Sequence, residues 1–224
     1  MASRAARTGK GLAGLAAILA AVLVAGCAAP RYTYIADSGT SDQTYFKVPG
    51  GWHKVSDSSL AAALNGGKAP SGPSGIWSVG YDGATAPSAR HVLSASAAQP
   101  FVFAMVGKLN STAQGNMSYN SLRDFFLPVT QTARQGAAQQ GFPLRRFHLL
   151  RDATLSPGHG VHGVRVTFQY TYPDGTTDTF DQVAFTNSDS SKVYVLFMHC
   201  LTSCYQHDRG EINTVMTSFT VRSS

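Results

Sequence analysis

VHGVRVTFQYTYPDGTTDTFDQVAFTNSDSSKVYVLFMHC, residues 161–200, decides the fold. Over its first stretch Val164, Val166, Phe168, Tyr170 and Tyr172 fall on one side of an extended chain, and Arg165, Thr167, Gln169 and Thr171 on the other. Alternation sustained over that length is the period-two pattern of a strand with one apolar and one polar face. Pro173-Asp174-Gly175-Thr176 supplies a turn, so residues 177–186 run back antiparallel, and residues 187–191 turn the chain once more. Residues 192–200 are apolar on both faces, which marks a central strand covered on each side. The stretch is a three-stranded meander.

Upstream of the meander, residues 144–152 are strand-like and residues 156–163 form a loop with Pro157, Gly158 and Gly160. Before them the period changes. Ser118 caps a helical stripe of Leu122, Phe125, Phe126 and Val129 that Ala133 and Ala137 extend. Pro128 lies inside that stripe and removes a backbone donor, so a kink or two consecutive helices are expected, ending at Gly141. Phe125 and Phe126 read as core anchors. Residues 101–109 form a strand with Phe101, Phe103 and Met105 on one face and Val102, Ala104 and Val106 on the other. Residues 76–81 form another, placing Trp77, Val79 and Tyr81 together, and a short extension is expected at 91–93.

Closer to the N-terminus, residues 44–48 and 52–55 read as two short strands hinged on Pro49-Gly50-Gly51. Ser56 or Asp57 caps a helix through Leu64, and a Gly/Pro/Ser loop follows over 65–75. That loop lacks the glycine spacing of a phosphate cradle. Downstream of the meander, Asp208 and Glu211 stand at capping-box spacing before Ile212, Val215, Met216 and Phe219, which recur on one face of a helix. Together these pieces predict an α+β domain over residues 44–224: a central antiparallel sheet flanked by helices, an α/β/α sandwich.

The first residues follow other rules. Arg4, Arg7 and Lys10 precede a mostly apolar run over 12–24, and the segment closes on Val24-Ala25-Gly26-Cys27. A basic start, a short apolar core and small residues at the exit make a secretory leader over residues 1–26, too short for an ordinary spanning helix. Its last four residues resemble the lipobox of bacterial lipoproteins. That resemblance implies cleavage after Gly26, diacylglycerol and palmitate on Cys27, and an extracytoplasmic anchor in the cell membrane. An incidental cysteine behind a simple signal peptide is the plainer alternative. Residues 27–43 then read as a tether. One acyl chain binds a bilayer only marginally and two bind it durably.

Charge excludes little but narrows the partners. The chain carries 18 Lys+Arg against 12 Asp+Glu, and removing Arg4, Arg7 and Lys10 leaves 15 against 12. The remainder forms no run, so no nucleic-acid partner is expected. Arg145, Arg146 and Arg151 are the densest basic group, readable as a solvated strand face or as a contact for anionic lipid headgroups. With Cys27 assigned to lipid, Cys200 and Cys204 remain, and an oxidising location favours a disulfide over a metal site. A loop that short is worth about 2 kcal/mol on the chain-entropy account.

The stretch YFKVPGGWHKV at 45–55, the meander and the closing VMTSFTV with Ser218-Phe219 resemble the PsbP/Mog1-like superfamily, especially its actinobacterial cell-envelope lipoproteins. The resemblance implies a central antiparallel sheet flanked by helices and an accessory or interaction role. It brings no universal catalytic residues, and a function taken from it would be analogy.

Direct reading of chemistry gives little more. No GxSxG elbow is present, and His148, His159, His162, His199 and His207 are bases without a visible nucleophile. His159 and His162 are the most suggestive metal pair, with Asp152 or Asp208 to complete it. Glu211 is the only glutamate and its place at a helix start accounts for it. The function expected is therefore a non-catalytic binding or accessory module with no cofactor. A carrier of lipid or cell-wall glycan is the first alternative, and a metal-dependent envelope hydrolase built on His159 and His162 the second. Its partners would be the bilayer, through acylated Cys27, and an envelope protein, lipid or glycan. Tyr45, Trp52, Trp77 and Tyr81 are the contact candidates, each with a strong alternative place in a core.

Overall fold

The computed structural model describes residues 31–37, 43–65, 74–92 and 97–222. The leader over 1–26, Cys27, most of the loop over 65–75 and the end of the extension expected at 91–93 lie outside the described residues.

The meander forms as its alternation requires. Strands β7 (Val161–Thr171), β8 (Thr177–Thr186) and β9 (Lys192–Leu201) pair antiparallel in sequence. The first turn is closed by Tyr172 N–H donating to Thr176 O at 2.8 Å, with Gly175 at φ +89 and Asp174 accepting from the Thr176 amide and hydroxyl. Strand β6 (Arg145–Gly158) joins β7 on the outer side. It is longer than expected because residues 156–163 are a tight hairpin and not a loop. Gly158 pairs with Val161, leaving His159 and Gly160 as the two turn residues, both at positive φ as such a hairpin demands.

On the other side of β9 lie β5 (Phe101–Lys108), β4 (Ser74–Asp82) and β3 (His53–Lys54), giving seven antiparallel strands in the order β3-β4-β5-β9-β8-β7-β6. β2 (Gln43–Pro49) departs from expectation. It does not pair with β3 but sits in a separate three-stranded sheet between β1 (Tyr32–Ala36) and β10 (Thr220–Arg222). Both of its edges are thereby used, and a turn in which Trp52 N–H donates to Pro49 O sends the chain to the other sheet. Residues 32–36, expected within a tether, are β1: Tyr34 opposes Lys47 and Ile35 opposes Phe46.

The long sheet is covered twice. One face carries α1 (Asp57–Asn65), a 3-10 turn at Ala89–Val92, α2 (Ser111–Gly115), α3 (Tyr119–Arg123) and α4 (Gln131–Gln139). The break around Pro128 gives two helices. Asp124 stabilises it by accepting from the amides of Val129 and Thr130, both at 2.7 Å, and from the Thr130 hydroxyl. Rings cross this face from strand to strand: Phe103, Phe126, Phe197, Phe180, Phe168 and Phe147 follow one another with centroids 4.7–5.9 Å apart. The opposite face is covered by α5 (Thr202–His207), α6 (Arg209–Thr217) and the three-stranded sheet, so this layer is mixed and not purely helical. Phe46 and Val48 of β2 and Ile212, Val215 and Met216 of α6 share one core with Val102, Leu196 and Met198 beneath them. No helix among the described residues is long and apolar enough to cross a membrane.

α5 has no counterpart in the sequence reading. It begins where β9 ends and is tied back to that strand by a disulfide between Cys200 and Cys204, whose Cα atoms are 6.0 Å apart. Both sulfurs are buried. Asp208 does precede α6, but its carboxylate makes no capping bond and instead meets His207 Nδ1 at 2.8 Å.

Candidate functional site

The polar side of β7 singles out one part of the mixed face. Arg165 lies two residues from Thr167, and Thr167 directly opposes Asp181 on β8, so Arg165 and Asp181 are diagonal neighbours on the same face. Their side chains form a two-pronged pair, Nε to Oδ1 at 3.0 Å and Nη2 to Oδ2 at 2.8 Å. Only 4% of Arg165 and none of Asp181 is exposed. Tyr205 from α5 donates to Asp181 Oδ2 at 2.7 Å, and Asn213 from α6 accepts from Arg165 Nη1 at 3.1 Å. A charge pair so deep is retained only when its other hydrogen-bonding positions are filled, and here two helices fill them.

The titration shifts agree with this geometry. Burial opposes the Arg165 charge, but the hydrogen bonds and charge of Asp181 outweigh it and raise the guanidinium above its ordinary value. Burial first, then the Asp181 carboxylate, holds the Tyr205 phenol well above the usual tyrosine range, so it remains the donor.

Above this floor runs a groove of about 700 Å³. Thr167, Gln169 and Thr179 continue its base, Thr202, Tyr205 and Arg209 form the helical wall, and Leu150 and Arg151 of β6 form the other. Gln169 Nε2 donates to Thr179 Oγ1 at 3.2 Å and to Thr202 Oγ1 at 3.4 Å, so the base is cross-linked by its own side chains. Arg151 and Arg209 differ. They reach the groove from opposite walls, both are exposed, and neither has a hydrogen-bond or ion-pair partner among the described residues. The disulfide bears on this site indirectly, because it fixes the helix that carries Tyr205.

Of the residues singled out from sequence, Arg151 lines the groove, and the aromatic and histidine candidates lie elsewhere. Trp52, Trp77 and Tyr81 are half-buried against the core beneath the three-stranded sheet, and burial raises the Tyr81 pKa. Tyr45 is in β2, with the Arg222 guanidinium 5.4 Å from its ring centroid. His159 occupies the β6–β7 turn, while His162 Nδ1 lies 3.1 Å from Gly160 O with its ring edge-on to Tyr119. Among the described residues no group of three or more His, Cys, Asp or Glu is placed to hold a metal ion. His148 opposes Gln169 and His162 opposes Thr186, at opposite ends of β7.

His199 is closed off. Its Nδ1 meets Asp178 Oδ2 at 3.1 Å and its Nε2 meets the His91 carbonyl at 2.6 Å, while Phe180 stacks on the ring. A fully buried imidazole with both nitrogens occupied joins β9 to the 3-10 turn and has none left for a substrate. His91 in turn meets Asp82, which also accepts from the amides of Ala84 and Ser88.

Arg165, Asp181, Tyr205, Arg209 and Asn213 were not sequence candidates. The available signal was Arg165 among Thr167, Gln169 and Thr171 on one face of the first strand of a meander whose last strand is apolar on both sides.

No family model and no curated protein matches the chain. Among solved structures it is similar to cyanobacterial PsbP from Synechocystis sp. PCC 6803, with 13% identity, a TM-score of 0.49, and coverage of 88% of this chain and 95% of that one. It is similar to LpqN, involved in cell envelope biogenesis of Mycobacterium tuberculosis, with 17% identity, a TM-score of 0.47, and coverage of 86% and 92%. It is also similar to the Ran-binding protein Mog1p of Saccharomyces cerevisiae, with 9% identity, a TM-score of 0.44, and coverage of 86% and 96%. These are likenesses of architecture, and no activity or partner is carried over from them.

Proposed function

We propose that this chain is a non-catalytic accessory module of a cell envelope, held at the outer side of the membrane by lipid on Cys27 and acting by binding in the groove between β6 and α6. The observation that carries the binding role is the contrast within that groove. Its floor is already satisfied by internal hydrogen bonds, whereas Arg151 and Arg209 present unpartnered cations from its two walls. A fixed polar base beneath uncommitted charges suits recognition, since little has to reorganise when a ligand arrives.

Anchoring rests on the leader and on the Val24-Ala25-Gly26-Cys27 exit. Because β1 starts at Tyr32, the chain from Cys27 to that strand can reach at most roughly 18 Å, at about 3.6 Å per residue. An anchored module would therefore work close to the headgroups.

The test uses a photo-crosslinking residue in place of Gln206 at the groove, and in place of Gln131 on the helical face, in intact cells. Capture of a defined envelope component from Gln206 and not from Gln131 is the expected result. No specific capture, together with turnover of an envelope substrate by the purified chain, would overturn the binding role. Anchoring is checked separately. The mature N-terminus should begin at an acylated Cys27, and Cys27→Ser should release the chain from membranes.

A further inference from the structure

The groove does not end at Arg165. A second recess of about 350 Å³ opens along the same strands and also has Arg151 and Arg165 in its lining. Its remaining walls are mostly apolar: Leu155 and Pro157 from β6, Val183 and Phe185 from β8, and Met216 and Phe219 at and just past the end of α6, with Ser156 and Thr217 beside them. The order along the elements explains the change. From Thr179 through Asp181 to Val183 and Phe185, all buried, the face of β8 beneath α5 and α6 turns from polar to apolar. From Arg209 through Asn213 to Met216, α6 does the same alongside it. Gly163 opposes Phe185, and a Cβ there would meet Phe185 within 2.8 Å, so its bareness keeps the ring seated in this half. Neither half is lined by an aspartate or glutamate side chain.

Resting on the reading of the groove as a binding site, we propose that its ligand is a lipid with an anionic head and a single acyl chain. The head lies between Arg151 and Arg209, and the chain runs past Arg165 over Leu155, Phe185, Met216 and Phe219. Charge complementarity decides the first half: two cations on facing walls with no internal partner favour a phosphate or carboxylate. Adjacency decides the second, because the polar and the apolar recess share Arg151 and Arg165 in their linings, so a chain attached to a head at Arg151 has the apolar recess beside it. A compact anion would leave the apolar recess unused, and a neutral lipid would leave both arginines without a counter-charge.

The experiment titrates the chain from residue 27 onward, carrying Cys27→Ser and so every described residue, below micelle-forming concentrations. Calorimetry compares dodecyl phosphate, octyl phosphate, butyl phosphate and the neutral dodecyl maltoside, while amide shifts locate the contact. Affinity should rise about twofold for each added methylene, the gain for half-burial of each group. Shifts should appear at Thr167 and Gln169 for every phosphate, and at Val183 and Phe185 for the longer chains alone. Joint replacement Arg151→Ala with Arg209→Ala should weaken all phosphates about tenfold. Leu155→Ser should weaken dodecyl phosphate and leave butyl phosphate unchanged.

Equal affinity for butyl and dodecyl phosphate would overturn the proposal in favour of a plain anion site. Equal affinity for dodecyl maltoside, with no response to loss of the arginines, would overturn it in favour of unspecific apolar adsorption. Absence of binding by a chain that melts cooperatively would overturn it outright. The titration needs neither membrane nor cell, so a failure of export or anchoring leaves its outcome unaffected. Conversely, binding here with no capture from Gln206 in cells would fault the envelope role alone.

Discussion

The two faces of the seven-stranded sheet are covered to similar depth but by different physics. On one, phenylalanines from the strands and from the α3–α4 connection touch ring to ring beneath helices, and polar groups such as the His199–Asp178 pair, Asp82, Asp124 and Gln182 are held in internal hydrogen bonds. On the other, the apolar core under β2 and α6 gives way toward β6 to Arg165, Asp181 and a groove. Burial of apolar surface is non-directional and fills the first face. A charged pair needs directed partners, and the helices that supply them stand far enough from β6 to leave space beside them. The face that tolerates charge is the one that carries the groove.

Substitutions can break this comparison, and the largest losses should come from the two centres. Phe197→Ala removes the ring that links Phe126 to Phe180 and should cost about 3–5 kcal/mol in denaturant melts. Asp181→Ala should cost about as much for the opposite reason, since it strands a buried guanidinium. The contrast sharpens when both partners go. Arg165→Met with Asp181→Leu should recover most of the Asp181→Ala loss, whereas no second truncation should rescue Phe197→Ala.

Next in size, reduction of Cys200–Cys204 should cost about 2 kcal/mol, seen as a fall in Tm of about 4–8 °C for a chain of this size. It should also loosen α5, raising hydrogen exchange there before it rises in β9.

Tyr205→Phe should cost about 1–2 kcal/mol near neutral pH through loss of its bond to Asp181. The same phenol gives the pH dependence. Tyr170, Tyr172 and Tyr205 are all held above their ordinary value in the folded chain, chiefly by burial, with Tyr170 pushed up to about 12. Groups raised in this way stabilise the fold fully below the unfolded tyrosine value, about 10, and lose that contribution as pH rises through the folded values. Melts should therefore stay level up to about pH 10 and then fall, with a shallower fall in Tyr205→Phe. The smallest effect expected is that of Arg151→Ala, an exposed and unpaired side chain, which should change stability by no more than about 0.5 kcal/mol.

Much of the α+β fold was legible because its signals are local. The alternation of Val164 to Tyr172 gave the faces of β7, and both faces of β5 and β9 were read from their own residues. Pro128 announced a kink or a break, and the chain breaks there into two helices. Other features escaped, the pairing of β2, the helix α5 and the candidate site among them. Pro49-Gly50-Gly51 looked like a hairpin turn, but whether flanking strands pair depends on what else competes for their edges, and β1 and β10 took both edges of β2. The segment 202–207 has no apolar stripe long enough to announce α5, whose disulfide and contacts with the sheet hold it. The candidate site was hidden for a related reason. Conspicuous aromatics such as Trp52 and Trp77 went to the core, as large apolar rings do, while Arg165 and Asp181 became a site only through the register between β7 and β8.

By itself the sequence determined which segments extend, which coil, and which side of each is apolar. Those properties depend on residues two to four positions apart, where backbone sterics and solvent act without reference to the rest of the chain. The tertiary structure decided which strand edges meet, where the mixed layer leaves a gap, and which arginines lie buried against aspartate and which face outward. Such outcomes turn on contacts between residues far apart in sequence, such as Arg165 with Asn213, and no local period encodes them.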